Sequence, residues 1–182
     1  MPRMTTWTFA PEPYDSPDAV DLWRAYYTEV SDRWYRLHQG HATDPGELER
    51  EIAAASWSEL VPPTGSLIVA RYAGEAMGCA GVRMLDATTG EVKRVYIRPR
   101  ARGTGGARPL LRAVEEAGRG LGARRLRLDT RGDLVEARAL YAGCGYTEIP
   151  PYHDDPYAEH FFEKRITRAQ EPPAPRGPGF SV

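Results

Sequence analysis

The glycine-rich turn at residues 98–111, RPRARGTGGARPLL, constrains the fold of this chain more than any other segment. It follows a strand-like run, EVKRVYIR, and it leads into residues whose leucines are spaced as in an α-helix. The next run, ARRLRLDT, alternates leucine with arginine, as half-buried strands do. Strand, helix and strand in this order predict a parallel crossover unit, which should be right-handed. We therefore predict an α/β fold that is organised around the turn.

The remaining segments complete one domain of helices and strands. The run SPDAVDLWRAYYTEV predicts a first helix that is capped by Ser16 or Asp18, and DPGELEREIAA predicts a second. Two strand-like runs meet at Ala73 and Gly74, which predicts a hairpin. The run DLVEARALYAG begins with a capping box of Asp133 and Glu136. The last two predicted strands are YTEIP and HFFEKRIT.

Length and composition predict a single domain over residues 6–168 of a 182-residue chain that is 41% hydrophobic. We expect residues 1–5 to be a flexible N-terminus and the Pro- and Gly-rich residues 169–182 to be a disordered tail. The sequence shows no apolar run of membrane-spanning length and no signal peptide, so we expect a soluble, cytoplasmic protein. Its two cysteines lack the spacing of a metal site, and we expect no metal.

Charge is divided unevenly along the chain. Residues 1–90 carry 7 basic and 13 acidic side chains, whereas residues 91–131 carry 12 basic and 4 acidic ones. A cationic segment centred on a glycine turn indicates a small polyanion as ligand. Nucleic acid is the competing interpretation, but the acidic first half would repel a long phosphate backbone. We therefore predict no nucleic-acid partner and no membrane partner.

The turn itself has the features of an anion-binding cradle. A glycine-rich turn that opens a helix presents unpaired backbone N–H groups at the positive end of the helix dipole. Gly103, Gly105 and Gly106 leave room for a phosphate, and the hydroxyl of Thr104 could add a donor. Neither the P-loop nor the dinucleotide-binding fingerprint fits, because Gly-Ala-Arg replaces Gly-Lys-Ser/Thr and Arg108 replaces the third glycine.

The segment VYIRPRARGTGGARPLL resembles the acetyl-coenzyme A signature of the GNAT N-acetyltransferase family, Gln/Arg-x-x-Gly-x-Gly/Ala. Arg100, Gly103 and Gly105 occupy the signature positions, and Arg102 before the first glycine is also usual in the family. The resemblance continues through LRLDT, ARALYAGCGYTEIPPY and HFFEKRI, and it covers roughly residues 65–167. One departure is Leu134, which stands where many members have an asparagine that contacts coenzyme A.

The resemblance implies a mixed, mostly antiparallel central sheet that is flanked by helices and splayed at the coenzyme A site. Pantetheine would pair there with the backbone of Val95, Tyr96 and Ile97. Pyrophosphate would lie on the residues of the turn, and two further arginines, Arg100 and Arg108, would hold phosphate groups. The implied pyrophosphate-binding residues are Arg102, Gly103, Thr104, Gly105, Gly106 and Ala107.

The family's chemistry implies transfer of acetyl from acetyl-coenzyme A to the amine of a small-molecule or amino-terminal acceptor. Tyr141 would protonate the leaving thiolate, and Glu91 would serve as the base. A backbone N–H of Val95 or Tyr96 would bind the oxyanion. Alternative bases are the side chains of His38, His41, His153, Glu159 and His160. A non-catalytic coenzyme A sensor and a transferase of longer acyl groups remain alternatives, and a homodimer stays open.

Overall fold

The computed structural model describes residues 6–166 of the chain. Four helices are present in this part: α1 (Pro17–Gln39), α2 (Pro45–Ala54), α3 (Ala107–Leu121) and α4 (Val135–Gly143). The strands are β1 (Trp7–Pro11), β2 (Gly65–Tyr72), β3 (Glu75–Met84), β4 (Thr89–Ile97), β5 (Arg125–Thr130), β6 (Thr147–Ile149) and β7 (His160–Arg165). A single 3₁₀ turn, Pro99–Ala101, links β4 to the glycine-rich segment.

The seven strands form one sheet in the order β1-β2-β3-β4-β5-β7-β6. All neighbouring strands run antiparallel except β4 and β5, which are parallel and are joined through α3. The predicted crossover unit and the mostly antiparallel, helix-flanked sheet are therefore confirmed. The parallel pair lies in the middle of the sheet, so any divergence of its two strands opens the protein at its centre.

Each face of the sheet is covered by a separate hydrophobic core. On one face, α3 buries Leu110, Leu111 and Val114 completely against the strands. Burying such a side chain contributes about 1.5–3 kcal/mol, which fixes the start of α3 over the sheet. On the other face, Leu22 and Trp23 of α1 pack with Trp57. The two helices thus cover opposite faces of the sheet.

Local signals located most elements, but one strand was missed and one predicted helix cap is wrong. Ser16 caps α1 as expected, since its side chain accepts a hydrogen bond from the N–H of Ala19. Strand β1 was not predicted, because its run is only five residues long, although Trp7 and Phe9 alternate there with the exposed Thr8 and Ala10. It pairs in the structure with β2 at the edge of the sheet.

The predicted capping box at the start of α4 is wrong. The N-cap is Leu134, and it makes no side-chain capping bond. Asp133 and Glu136 turn instead to Arg33 of α1, whose guanidinium forms ion pairs with both carboxylates. A guanidinium offers five donors in a rigid fork, so it competes well with a backbone N–H for these oxygens. The start of α4 is consequently tied to α1.

The domain limits stay a prediction. The predicted flexible residues 1–5 and the predicted tail 169–182 lie outside the described residues, as do the last two residues of the predicted domain. Across residues 6–166, none of the helices is both long enough and apolar enough to span a bilayer.

Candidate active site

A gap opens in the sheet where β4 and β5 separate. These strands pair only at Thr89–Glu91 and Arg125–Arg127, although β5 remains paired with β7 along its whole length. A cavity of about 940 Å³ occupies the gap, and it extends from α1 to the start of α3 and to α4. The unpaired edge of β4 can therefore bind an extended ligand through its backbone groups, as sheet edges bind peptides.

A β-bulge marks the point where β4 leaves its neighbour. Arg94 has a left-handed backbone with φ of 58°. The β3–β4 register shifts beside it, so that Arg94 and Val95 both lie opposite Ala80 without a paired partner. The guanidinium of Arg94 lies 4.2 Å from the ring centre of Trp23 and 5.2 Å from that of Trp57. Bulges redirect backbone groups, and this one lies at the predicted oxyanion donor.

The glycine-rich turn forms the other end of the cavity. Gly103 and Gly105 have φ of 77° and 89°, and a Cβ added at either would meet no atom within 4 Å. The space in front of the turn is therefore open, and the backbone conformation favours glycine at both positions. The turn runs directly into α3, whose first N–H groups have no partner within the helix. This arrangement fits a bound phosphate.

Two of the predicted arginines reach the cavity. Arg102 lies on its wall, with Nη2 2.7 Å from Oε1 of Glu29 in α1. Arg108 also lines it and donates from Nη1 to the carbonyl oxygen of Gly143, 3.1 Å away. Both guanidinium groups keep further N–H donors, since each has five. A phosphate on the turn would thus lie between two cations from different sides of the gap.

Two other residues that were predicted to bind the phosphates have different partners in the structure. Arg100 pairs with Glu75 at 3.0 Å and is not part of the cavity wall. The hydroxyl of Thr104 donates to the carbonyl oxygen of Ala101 at 2.6 Å, so its proton already has an acceptor. The same hydroxyl accepts a hydrogen bond from the indole of Trp7. Thr104 therefore supports the shape of the turn.

Tyr141 reaches the cavity from α4. It is 6% exposed, and its ring packs against Tyr146 and Phe162 at centroid distances of 6.0 Å. Burial raises the pKa of the Tyr141 phenol above its ordinary value. A tyrosine phenol with an ordinary pKa is already protonated at neutral pH, so Tyr141 carries the proton that a proton donor requires. Its predicted role as an acid stays a prediction.

Glu91 lies among three donors outside the wall of the cavity. It is 1% exposed, and it contacts Arg83 at 2.8 Å, Lys93 at 3.2 Å and the hydroxyl of Tyr152 at 2.8 Å. Burial alone would raise the pKa of Glu91, but these three neighbours together hold it below its usual value. A carboxylate held this way is a weak proton acceptor. Its predicted role as base stays untested, and the geometry favours an anchor for the surrounding cations.

A neighbouring carboxylate that was not predicted does reach the cavity. Asp129 lies near the end of β5 and lines the wall together with Lys93 of β4. Its Oδ2 atom is 2.9 Å from Nε2 of His153 and 3.9 Å from Nζ of Lys93. The alternation in RLRLDT already placed Asp129 on the polar face of its strand, beside the splay. This alternation is the sequence feature from which Asp129 could have been predicted.

The other alternative bases lie away from the cavity wall. His38 packs against Trp34, and His41 contacts the carbonyl oxygen of Ala42. His160 binds Glu148 in the neighbouring strand, and Glu159 accepts the N–H of Gly132. His153 does not line the cavity, but it is hydrogen-bonded to Asp129, which does.

Most of the predicted site residues are brought together by the fold. Glu91, Arg100 and Thr104 are the predicted members that do not line the cavity. Leu134, which stands in place of the family's asparagine, contributes an apolar group to the wall. The predicted residues on the wall are Val95, Tyr96, Ile97, Arg102, Gly103, Gly105, Gly106, Ala107, Arg108 and Tyr141.

The half of the cavity opposite the glycine turn combines aromatic and acidic groups. Tyr26 of α1 and Asp155 and Tyr157 of the β6–β7 loop line this part of the cavity, whereas Glu29 of α1 is paired with Arg102 of the turn. The ring of Tyr157 lies 6.0 Å from that of Trp34, so the loop touches α1 across the opening. This half has the polar and aromatic groups that could receive a second substrate.

Comparisons with known proteins agree with this geometry. The acetyltransferase (GNAT) family matches residues 19–146. An IAA acetyltransferase of Azospirillum brasilense is 34% identical over 111 residues, which is 59% of this chain and 72% of the relative. An aminoglycoside N(6')-acetyltransferase type 1 of Stenotrophomonas maltophilia is 30% identical over 124 residues, 63% of this chain and 78% of the relative.

A solved structure shows the same fold. The PaiA N-acetyltransferase of Thermoplasma acidophilum, in complex with coenzyme A, superposes with a TM-score of 0.64. It is 14% identical, and the match covers 88% of this chain and 99% of that one. The family match spans the splayed strands, the glycine turn and α4, which are the parts that build the cavity. The chain therefore belongs to the GNAT family of acetyltransferases.

Proposed function

We propose that this protein transfers an acetyl group from acetyl-coenzyme A to the amine of a small-molecule or amino-terminal acceptor. The observation that carries the proposal is the gap between β4 and β5, which opens directly onto the glycine turn and the start of α3. One continuous cavity thus contains both the unpaired edge of β4 and the positively charged glycine turn, which can bind an anion.

The donor fits this cavity in one direction. Its pyrophosphate would lie on Gly103–Ala107, between Arg102 and Arg108, and its pantetheine amides would pair with the free edge of β4. Gly103 and Gly105 leave open space for the phosphates, and Val95 to Ile97 line the gap. The thioester would then lie next to the bulge at Arg94. PaiA, which shares the fold, is known in complex with coenzyme A.

Direct attack would proceed through a tetrahedral intermediate. The acceptor nitrogen forms a bond to the acetyl carbon, and the negative charge that develops on oxygen is bound by a backbone N–H of Val95 or Tyr96. The C–S bond then breaks, and the hydroxyl of Tyr141 gives its proton to the departing sulfur. An acceptor that arrives as an ammonium ion first loses one proton to solvent, which frees its lone pair, and the nitrogen loses a second proton to a base as the amide forms. The products are the acetylated amine and coenzyme A.

An acceptor with a positive charge suits the remaining half of the cavity. The carboxylate of Asp155 and the rings of Tyr26 and Tyr157 line it, and carboxylates and aromatic rings both attract ammonium groups. One relative acetylates an aminoglycoside, according to its name. We propose a small primary amine as the acceptor class and the cytoplasm as the site of action. A homodimer stays a prediction.

The deciding experiment combines binding and turnover. Calorimetry measures the affinity for acetyl-coenzyme A, and release of free thiol is followed with a library of amino acids, polyamines, aminoglycosides and amino-terminal peptides. We expect saturable acetylation of at least one amine. Tight binding without any transfer would favour a coenzyme A sensor, and faster transfer from a longer acyl-coenzyme A would favour the other alternative.

A further inference from the structure

Asp129 occupies the position on β5 that faces the gap. The last paired residues of the parallel strands are Glu91 and Arg127. Side chains alternate along a strand, so Asp129 lies on the same face as Arg127, and Lys93 lies on the same face as Glu91. These two residues are the next on that face after the strands part, and both line the cavity. Asp129 thus lies beside the gap into which the acetyl group would project.

The hydrogen bonds of His153 indicate which nitrogen carries the proton of the neutral ring. Its Nδ1 atom accepts the backbone N–H of Asp155 at 3.2 Å. The neutral ring then carries its proton on Nε2, which lies 2.9 Å from Oδ2 of Asp129. His153 therefore donates to the carboxylate, and neither ring nitrogen is free to take a proton from a substrate. The ring is also packed edge-on against Tyr152 and Phe161.

One oxygen of Asp129 remains available. Within residues 6–166, the hydrogen bond and the ion pairs of this carboxylate all fall on Oδ2. Glu91 differs, because its two oxygens are shared among Arg83, Lys93 and Tyr152 and it does not line the cavity. Of the two neighbouring carboxylates, Asp129 is the one with access to the acceptor.

We infer that Asp129 is the base of the acetyl transfer and that His153 is a positioning residue that orients it. This inference rests on the proposed function. As the C–N bond forms, the nitrogen becomes positively charged and its N–H bond breaks, and the proton passes to Oδ1 of Asp129. The sulfur takes the proton of Tyr141 when the C–S bond breaks. Solvent later removes the proton from Asp129 and restores the one on Tyr141.

The cluster of Glu91, Asp129 and His153 could instead bind a metal ion, and the experiment must distinguish a metal site from a base. Glu91, Asp129 and His153 each place one potential metal-ligand atom within 4.8 Å of the others. Lys93 lies 3.2 Å from Glu91 and 3.9 Å from Asp129. Its ammonium already supplies a positive charge to both carboxylates, and a divalent cation would have to displace it. The geometry therefore favours the base.

The test compares Asp129→Asn with Glu91→Gln, using the best acceptor amine from the library. For Asp129→Asn we expect kcat to fall by about 10²–10³-fold, which is within the usual contribution of a general base, with an unchanged KM for acetyl-coenzyme A. Glu91→Gln should keep more than a tenth of the parent's kcat. The matched control is Asp154→Asn, an exposed neighbour of His153, which should behave as the parent.

The role of His153 is tested by two replacements. His153→Phe removes the N–H donor, and we expect kcat to fall about tenfold. His153→Gln keeps an amide N–H and should recover much of that loss, which a general effect on packing would not do. The affinity for coenzyme A, measured by calorimetry, should be the same in both variants and in Asp129→Asn, so that loss of folding is recognised.

Four results would overturn the inference. If Asp129→Asn is as active as the parent, Asp129 takes no part in the reaction. If kcat falls further in Glu91→Gln than in Asp129→Asn, Glu91 is the base. Inactivation by a chelator with recovery on adding zinc assigns the cluster to a metal. These three leave the proposed function standing. A parent that binds acetyl-coenzyme A but acetylates no amine in the library overturns the proposed function, and the inference fails with it.

Discussion

The indole of Trp7 in β1 packs directly on Gly106, where an added Cβ would lie 2.4 Å from the ring. The indole N–H also donates to the carbonyl oxygen and the hydroxyl of Thr104, at 3.3 and 3.1 Å. An edge strand from the start of the chain therefore supports the turn that we propose as the phosphate site. Gly106 serves this contact, whereas Gly103 and Gly105 serve the backbone conformation of the turn.

Trp7→Ala should weaken coenzyme A binding without abolishing it. The variant loses a hydrogen-bond donor and a ring contact, each worth about 1 kcal/mol, so the turn becomes less ordered before it binds. We expect the Kd for coenzyme A to rise about 3–10-fold in calorimetry. Trp34→Ala, which removes an indole that packs against Tyr35, His38 and Tyr157, is the control. An unchanged Kd in Trp7→Ala would show that the turn is not part of the coenzyme A site.

Gly105→Glu should abolish coenzyme A binding, because it places a carboxylate in the open space in front of the turn. The substitution also forces a side chain into a left-handed backbone, which costs about 1–2 kcal/mol. Gly74→Glu is a matched control, since Gly74 has φ of 88° against 89° for Gly105 and equally open surroundings. Calorimetry should show no binding for the first variant and normal binding for the second. Equal affinities would show that the phosphates bind elsewhere.

Tyr141→Phe should slow the chemistry and leave binding intact. It removes one hydroxyl and almost no volume, so the melting temperature should stay close to that of the parent. General acid catalysis contributes about 10²–10⁴-fold, and a thiolate is a fair leaving group, so we expect a loss near the lower end. The loss should appear in kcat and leave the KM for acetyl-coenzyme A unchanged.

Tyr146→Phe is the control for that experiment, because Tyr146 packs against Tyr141 but does not line the cavity. It should retain the parent's kcat. A lower melting temperature together with a normal kcat in Tyr141→Phe would make Tyr141 a core residue only.

Glu91→Gln should lower the free energy of unfolding in a pH-dependent way. The pKa of Glu91 is lower in the folded protein than in the unfolded chain, so the ionised carboxylate stabilises the fold above its unfolded pKa. This stabilisation is lost as the pH falls through the folded value. We expect a deficit of about 1–3 kcal/mol at neutral pH. In urea titrations the two proteins should converge under strongly acidic conditions, and a pH-independent deficit would contradict the assignment.

Salt should weaken coenzyme A binding only moderately. The ligand carries a few phosphate charges, and it lacks the condensed counterions of a polyelectrolyte, so Kd should rise gently with ionic strength. Calorimetry over a series of salt concentrations measures the slope. Steeply salt-dependent RNA binding with no response to coenzyme A would support the nucleic-acid interpretation.

The sequence determined those parts of the site that depend on contiguous residues. The glycine turn, the helix after it and the flanking strands are local features, since backbone conformation and periodicity act within a few residues. Tyr141 was identified through the resemblance of ARALYAGCGY to the family's motif, since its place on the apolar side of the helix is by itself that of a core residue. Even Asp129 was visible as a polar residue on an alternating strand, although nothing local distinguished it from Arg127.

Only the tertiary structure decided which of these residues meet. The parting of β4 and β5 exposes Asp129 to the cavity, while Glu91, two residues before Lys93 on β4, is enclosed by Arg83 and other donors. The contact of Trp7 with Gly106 spans almost a hundred residues. Strand register and burial follow from the packing of distant segments, and burial together with neighbouring charges sets the pKa of Glu91. The chemistry of a carboxylate in this site therefore depends on the assembled sheet.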